Sequence, residues 1–193
     1  MSAAPLDVKK AWESRSIKHE RQLFRAQFSP DGRFIAAGGQ DKLVHIWELE
    51  GEKKKVLDGH NTWLSSLVFH PKGGKLFSAD YLGVIHCWDY ENATRPLWTI
   101  AEADRDNVRA LILTPDGEHL ISAGDDGVVK AWKAASGKPV TTMEGHGECI
   151  FSLAISPDGK HLVSGDLLGA IRQWDLKTWK PSRELDASLL HTR

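Results

Sequence analysis

The 193-residue sequence has few cysteines and no excess of charge of either sign. Its two cysteines, Cys87 and Cys149, match none of the short spacings typical of zinc, iron–sulfur or c-type haem sites, so both are predicted to be free thiols. Lys and Arg number 25 against 26 Asp and Glu, which gives a formal net charge of −1. A chain this close to neutrality is not expected to bind nucleic acid or an anionic membrane through a general electrostatic field.

Long hydrophobic segments are also missing. Nowhere do about 18 apolar residues follow one another, and the N-terminal sequence MSAAPLDVKKAWESRS lacks the apolar core of a secretory signal. We therefore predict no membrane span and a cytoplasmic location. The hydrophobic fraction of 41% is that of an ordinary globular protein with a buried core.

What the sequence does contain is a repeat, marked by four tryptophans at intervals of 41, 44 and 42 residues: Trp47, Trp88, Trp132 and Trp174. A proline stands 17 residues before each of them: Pro30, Pro71, Pro115 and Pro157. A period of about 40 to 45 residues with several short strands per unit is typical of a propeller blade. The prediction is an all-β propeller of about four blades, each a four-stranded antiparallel sheet.

The strands of one blade are visible in each copy. Each begins with an apolar run typical of a buried strand, and a proline-containing turn follows: LFRAQF with SPDG, LSSLVF with HPKG, VRALIL with TPDG, and IFSLAI with SPDG. A strand rich in small residues, a tight hairpin and a third strand ending at the tryptophan come next. Asp126–Gly127 is the clearest hairpin signal, because this pair suits a type I′ turn. A more weakly patterned fourth strand closes each copy.

With these features, the repeat resembles the WD repeat of β-propeller proteins. Gly59–His60 and Gly145–His146 match the opening Gly-His pair of that repeat, and Trp88–Asp89 and Trp174–Asp175 match its closing Trp-Asp pair. The resemblance divides the chain into four repeats, preceded and followed by short segments: residues 1–17, 18–58, 59–102, 103–144, 145–187 and 188–193.

The leading segment bears on whether the ring is complete. It contains AWESRSI (11–17), which reads as an outer strand without a blade of its own. Members of the family use such a strand to complete the last blade, yet the fourth copy already has an outer-strand candidate at residues 182–186. We therefore expect an incomplete ring, the N-terminal part of a longer propeller or regulatory protein. The alternative is self-association, in which two copies close an eight-bladed ring through their open edges.

The resemblance implies a hydrogen-bonded network of His, Ser or Thr, hairpin Asp and Trp in each blade. Position in the repeat gives the following candidates: His19, Asp41 and Trp47; His60, Ser78 and Trp88; Ser122, Asp126 and Trp132; His146, Ser164 and Trp174. Every copy is expected to lack one member, since four positions carry other residues: Ala37, Leu82, Asp104 and Leu168. Because a half-satisfied buried network contributes little, apolar packing is expected to hold the blades together.

Catalytic and cofactor motifs are not found. The sequence contains no nucleophile elbow, phosphate loop or metal-binding helix. His45 and His86 each lie two residues before a tryptophan, but on adjacent blades, so neither a metal nor a cofactor site is predicted. Propellers of other families carry hydrolases and lyases, so an enzyme with its active site at the central channel is the alternative function.

The resemblance also implies a binding face, formed by the loops that enter each first strand and by the hairpins between second and third strands. It places seven candidates there: Gln22, Gln40, Trp63, Tyr81, Asn107, Arg109 and Asp125. Trp, Tyr and Arg are the residues that binding hot spots favour. We predict a noncatalytic scaffold for proteins or peptides, with Trp63, Tyr81 and Arg109 as the first contact spot. Phe24 and Phe151 also map to this face by position, but they lie inside apolar strands and are assigned to the core.

Overall fold

The computed structural model describes residues 16–51 and 53–186. This part of the chain is all β, with sixteen strands: β1 Leu23–Phe28, β2 Phe34–Gly39, β3 Val44–Glu48, β4 Lys54–Leu57, β5 Leu64–Phe69, β6 Leu76–Asp80, β7 Ile85–Trp88, β8 Trp98–Ile100, β9 Val108–Leu113, β10 His119–Gly124, β11 Val129–Lys133, β12 Pro139–Met143, β13 Ile150–Ile155, β14 His161–Asp166, β15 Ala170–Asp175 and β16 Lys180–Asp186. The leading strand predicted at 11–17 falls largely outside the described residues, and the tail at 188–193 lies wholly outside them. No helix long and apolar enough to cross a membrane occurs in the described part.

The strands form four antiparallel sheets of four strands each, and within every sheet the strands lie in sequence order. The first strands of consecutive sheets contact one another, as the inner strands of adjacent propeller blades do. The predicted all-β propeller blades are therefore confirmed. We number them blade 1 (β1–β4) to blade 4 (β13–β16).

One register is kept in all four blades. The tryptophan near the end of the third strand pairs with a branched apolar residue of the second strand: Trp47 with Ile35, Trp88 with Leu76, Trp132 with Leu120 and Trp174 with Leu162. Because the hairpin between these strands has the same length each time, the distance from proline to tryptophan in the sequence stays constant.

The hydrophobic core lies between the blades. Blades 1 and 2 share a buried cluster that includes Leu57 and Leu64, and blades 2 and 3 share one that includes Phe77 and Val108. A third cluster, which includes Ile121, lies between blades 3 and 4. The sheets of blades 2 and 3 thus bury one face against the blade before them and the other against the blade after them.

The outward faces of the two end blades remain open. Phe28 of blade 1 is 62% exposed, whereas Phe69, at the same position of blade 2, is 5% exposed. At the other end, Ile171 of blade 4 is 37% exposed, while its counterparts Ile85 and Val129 are fully buried. The described blades therefore form an arc with an apolar face at each end.

Candidate protein-interaction face

Blade 2 contains a complete network of four buried side chains. Nδ1 of His60 lies 2.8 Å from Oδ2 of Asp80, and its Nε2 lies 2.7 Å from Oγ of Ser78. The indole N–H of Trp88 donates to the same hydroxyl oxygen at 2.8 Å. The network joins the segment before β5 to the second and third strands of the blade.

Blade 4 repeats this arrangement. His146 lies 2.9 Å from Asp166 and 2.6 Å from Ser164, and Trp174 donates to Ser164 at 2.8 Å. Burial of Asp166 opposes its ionisation, but the hydrogen bond with His146 and two backbone N–H donors outweigh this effect and lower the pKa of the carboxyl group.

The prediction that every copy lacks a member is therefore wrong for blades 2 and 4. Leu82 and Leu168 do occupy the expected aspartate positions and are exposed. The carboxylate comes instead from two residues earlier, where Asp80 and Asp166 each follow the network serine by two residues on the same strand, and alternate residues of an extended strand project to the same side. Asp80 and Asp166 thus reach the histidine from the end of the second strand.

Blade 3 keeps only part of the network. Trp132 donates to Ser122 at 2.9 Å, but Asp104 stands where the other blades have histidine. Asp104 accepts hydrogen bonds from the backbone N–H groups of Asp106 and Asp126, and the side chain of Asp126 binds Lys130 Nζ at 2.5 Å. Burial, reinforced by the nearby charge of Asp126, raises the pKa of Asp104 to about 6.

The predicted binding face is built on a backbone hydrogen bond that recurs in every blade. It runs from the hairpin N–H to the carbonyl of the entering loop: Gln40 to Gln22, Tyr81 to Trp63, Asp125 to Asn107, and Leu167 to Cys149. The loop and the hairpin of each blade are therefore adjacent, as the repeat predicts. We call the surface that they form the ring face.

A β-bulge at the start of each first strand aims one more side chain at this face. The bulged residues have no partner in the strand ladder: Phe24, Ser65, Arg109 and Phe151. A bulge leaves its extra residue out of the ladder and turns its side chain away from the regular alternation. The assignment of Phe24 and Phe151 to the core is therefore wrong: Phe24 is half-buried and Phe151 is 44% exposed.

Three aromatic rings form a cluster on the ring face across blades 1 and 2. The ring centroids of Phe24, Trp63 and Tyr81 lie 6.0 to 6.3 Å apart. Trp63 remains 44% exposed and Tyr81 41% exposed, so the cluster presents apolar area to solvent. We call these three residues the aromatic patch.

Arg109 makes its contacts elsewhere than at Trp63 and Tyr81. Its guanidinium carbon lies 4.2 Å from the ring centroid of Phe151, and its Nε donates to Asp125. The predicted contact spot thus divides in two, with the aromatic patch at blades 1 and 2 and a charged group at blades 3 and 4.

The remaining predicted face residues differ in exposure. The side-chain amides of Gln22 and Gln40 are hydrogen-bonded to each other at 3.0 Å. Asn107 is buried rather than presented to a partner. The position of Phe24 in the repeat indicated this face, but the apolar strand around it led to its assignment to the core.

The family model described as "WD domain, G-beta repeat" matches the chain four times, at residues 14–48, 51–89, 94–133 and 137–175. The chain belongs to the WD-repeat family. Together these matches cover most of the sequence, so the resemblance predicted from the residues is confirmed.

Similar proteins include the nuclear distribution protein nudF of Aspergillus terreus, 33% identical over 111 residues that cover 58% of this chain and 25% of the relative. The nuclear distribution protein PAC1-1 of Uncinocarpus reesii is 37% identical over 90 residues, covering 47% of this chain and 20% of the relative. The chain thus matches a quarter or less of either protein. Among solved structures, a chain in the crystal structure of the mitotic checkpoint complex superposes with a TM-score of 0.79 at 27% identity, covering 86% of this chain and 51% of that chain.

Proposed function

We propose that this WD-repeat chain is a noncatalytic platform that binds proteins or peptides on its ring face, and that the aromatic patch is the main anchor. The observation that carries the proposal is the exposure of Trp63 and Tyr81, which stay more than 40% accessible while packed against each other. Rigid aromatic area of this kind binds partners at low entropic cost.

The neighbouring residues indicate what kind of partner fits. Leu82 lies next to Tyr81 and is 58% exposed, which extends the apolar surface along the hairpin. Arg109 is already neutralised by Asp125 and therefore offers little net charge to a ligand. We infer an extended segment that inserts one or two apolar side chains at the aromatic patch. The multiprotein complex in which the similar solved chain occurs supports a role in protein binding.

The same proposal includes a cytoplasmic location and no role in nucleic-acid or membrane binding. The near-neutral charge supports the second part. The first is supported by Cys87 and Cys149, which are both free thiols, as expected in a reducing compartment. Burial raises the pKa of the Cys87 thiol to about 12, so this residue is a packing residue rather than a nucleophile.

The experiment is a peptide selection against the whole chain, followed by affinity measurement for the selected peptides. Replacing both Trp63 and Tyr81 with Ala is expected to weaken binding by ~30-fold or more, because a hot-spot side chain contributes about 2 kcal/mol. Leu97→Ala is the matched control: Leu97 belongs to the same blade, is 51% exposed, and lies at the start of the outer strand, away from the hairpin.

The proposal fails if the selected peptides bind the double variant as tightly as they bind the unaltered chain. It also fails if Leu97→Ala weakens binding as much as the double substitution. Circular dichroism of each variant establishes that its blades are still folded.

A further inference from the structure

Three metal-ligating side chains of blade 1 converge at a single point. His19 lies before β1, Asp41 lies in the β2–β3 hairpin, and His45 lies on β3. Nε2 of His19 is 3.1 Å from Nε2 of His45, and Oδ2 of Asp41 is 2.5 Å from the His45 atom and 3.2 Å from the His19 atom. The three side chains are only 4 to 15% exposed, so the triangle formed by their three ligand atoms is largely buried but still accessible to solvent.

The blade network accounts for only part of this arrangement, because His19 and Asp41 are its predicted members in blade 1 but His45 is not. In blade 2, Ser78 and Asp80 hold the two nitrogens of His60. The corresponding positions of blade 1 are Ala37 and Gly39, which have neither a hydroxyl nor a carboxylate group. Without those partners, His19 directs its Nε2 atom toward the other two members of the cluster.

His45 also differs from its counterpart in blade 2. There, His86 uses one nitrogen for Thr99 Oγ1 at 2.8 Å and the other for the Gly59 carbonyl at 3.1 Å. In blade 1, Val56 pairs with His45 in place of that threonine. Nδ1 of His45 is buried without a hydrogen-bond partner among the described residues. Among the described residues, the ring is therefore hydrogen-bonded only through its Nε2 atom, which faces the cluster.

We propose that His19, Asp41 and His45 form a binding site for one divalent transition-metal ion, with Zn²⁺ as the ion that fits the donors best. Zn²⁺ binds His nitrogen and carboxylate oxygen at about 2.0–2.2 Å, which places neighbouring ligand atoms of a tetrahedral site ~3.3 Å apart. The 3.1 and 3.2 Å edges of the triangle are close to this distance. The 2.5 Å edge between Asp41 and His45 has to widen by less than ~1 Å, a small rotation of the hairpin carboxylate.

The surroundings of the triangle favour a cation. The Asp41 carboxylate supplies one negative charge, and three protein ligands leave a fourth position for water or a ligand from a partner. Nδ1 of His19 lies 3.2 Å from the Arg21 carbonyl, which can orient the ring as an outer hydrogen-bond partner.

Metal binding would give blade 1 a substitute for the network that it lacks. The ion would tie the segment before β1 to the hairpin and to the third strand, whereas the network in blades 2 and 4 ties the corresponding segment to the second and third strands. Because an ion that binds only the folded state stabilises it, the blade should become more stable as the ion concentration rises.

The test uses the whole chain in metal-free buffer, with ZnCl₂ titrated by calorimetry and thermal unfolding recorded with and without the ion. We expect one ion per chain and a higher unfolding temperature. His19→Ala and Asp41→Asn should each lower the affinity by ~100-fold or more, since even the loss of an outer-sphere partner lowers metal affinity by about 10–100-fold. Co²⁺ in place of Zn²⁺ should show the visible absorption of a nitrogen- and oxygen-coordinated ion.

Two control variants test whether Zn²⁺ binds at other side chains of the protein. His70→Ala and Cys149→Ser remove other metal-ligating side chains and should leave the affinity and the stoichiometry unchanged. The proposal is overturned if the unaltered chain binds no stoichiometric ion. It is equally overturned if His19→Ala and Asp41→Asn bind Zn²⁺ as tightly as the unaltered chain. His19 lies outside the strands and Asp41→Asn is isosteric, so neither variant is expected to prevent folding.

Discussion

Blades 1 and 2 carry the same repeat, with the same strand register and the same bulge, yet their interiors differ. All six residues of β5 are buried, whereas the last four residues of β1 are exposed. Blade 2 packs between two neighbours, while blade 1 has a packed neighbour on one face only. The repeat thus determines how a blade is built, and the adjacent blade determines what that sequence contributes to stability.

The same two blades differ in their polar interiors. His60 of blade 2 is enclosed by a serine and an aspartate, so both of its nitrogens are satisfied. In blade 1, His19 lacks these partners and contacts Asp41 and His45 instead. The absence of these two second-strand partners, together with Asp41 in the hairpin and His45 on the third strand, makes a structural histidine into a candidate metal ligand.

The largest difference in stability between blades 1 and 2 is expected when the phenylalanine that ends the first strand is replaced in each of them. Phe69→Ala should lower the free energy of unfolding by about 3–5 kcal/mol, because it leaves a cavity beside Tyr90, whose ring lies 5.0 Å away. Phe28→Ala should cost less than ~1 kcal/mol, because Phe28 is mostly exposed. Urea unfolding followed by tryptophan fluorescence measures both. Equal costs would show that the outward face of blade 1 is packed in solution.

The network can be tested by comparing blades 2 and 3. Ser78→Ala removes the shared partner of His60 and Trp88, both buried, and should cost about 2–4 kcal/mol. Ser122→Ala leaves only the indole N–H of Trp132 without its hydrogen-bond acceptor and should cost about 1–2 kcal/mol. Denaturant unfolding of the two variants gives the difference. If Ser122→Ala proves the costlier change, shared hydrogen bonding is not what stabilises blade 2.

A smaller contrast concerns two equivalent hairpin glycines, both with positive φ. A Cβ on Gly83 would lie 2.2 Å from the carbonyl oxygen of Asp104, the first residue of the next blade's opening loop, whereas a Cβ on Gly169 would meet nothing within 4 Å. Gly83→Ala should therefore cost about 2–3 kcal/mol, and Gly169→Ala about 1 kcal/mol from backbone strain alone. Thermal unfolding of both variants tests this, and a larger loss at Gly169 would contradict it.

Much of the fold was predictable from the sequence because a blade is a local structure. Prolines, hairpin glycines and tryptophans recur at fixed distances, and each fixes a turn or a strand end within a few residues. The family resemblance added the network and the ring face. Trp63 and Tyr81 were correctly placed next to each other, because the hairpin and the entering loop are joined by a backbone hydrogen bond.

The errors came from features that position in the repeat does not show. Asp80 and Asp166 were not placed in the network, because the family pattern has its aspartate two residues later. Each nevertheless lies two residues after the network serine on the same strand and so projects to the same side. Phe151 was assigned to the core because an apolar run does not reveal a bulge. The contact of Arg109 with Phe151 depends on the packing of blade 3 against blade 4, which no single repeat contains.

The smallest expected effect is a difference between blades 3 and 4 in how their stability depends on pH. The folded-state pKa of Asp104 is raised from 3.8 to about 6, so its stabilising contribution is complete below pH ~4 and is lost as the pH rises through 6. Asp166 is the opposite case: its pKa is lowered, so its contribution is present above pH ~4 and is lost as the pH falls.

Asp104→Asn should therefore stabilise the chain by about 1 kcal/mol near pH 7. The gain is modest because Asp104 lines an open cleft that admits screening water. Near pH 4 the gain should vanish. Asp166→Asn should destabilise the chain near pH 7 and have progressively less effect in acid. Urea unfolding at several pH values measures both trends, and a gain from Asp104→Asn that does not depend on pH would mean that ionisation of this carboxyl group is not what weakens blade 3.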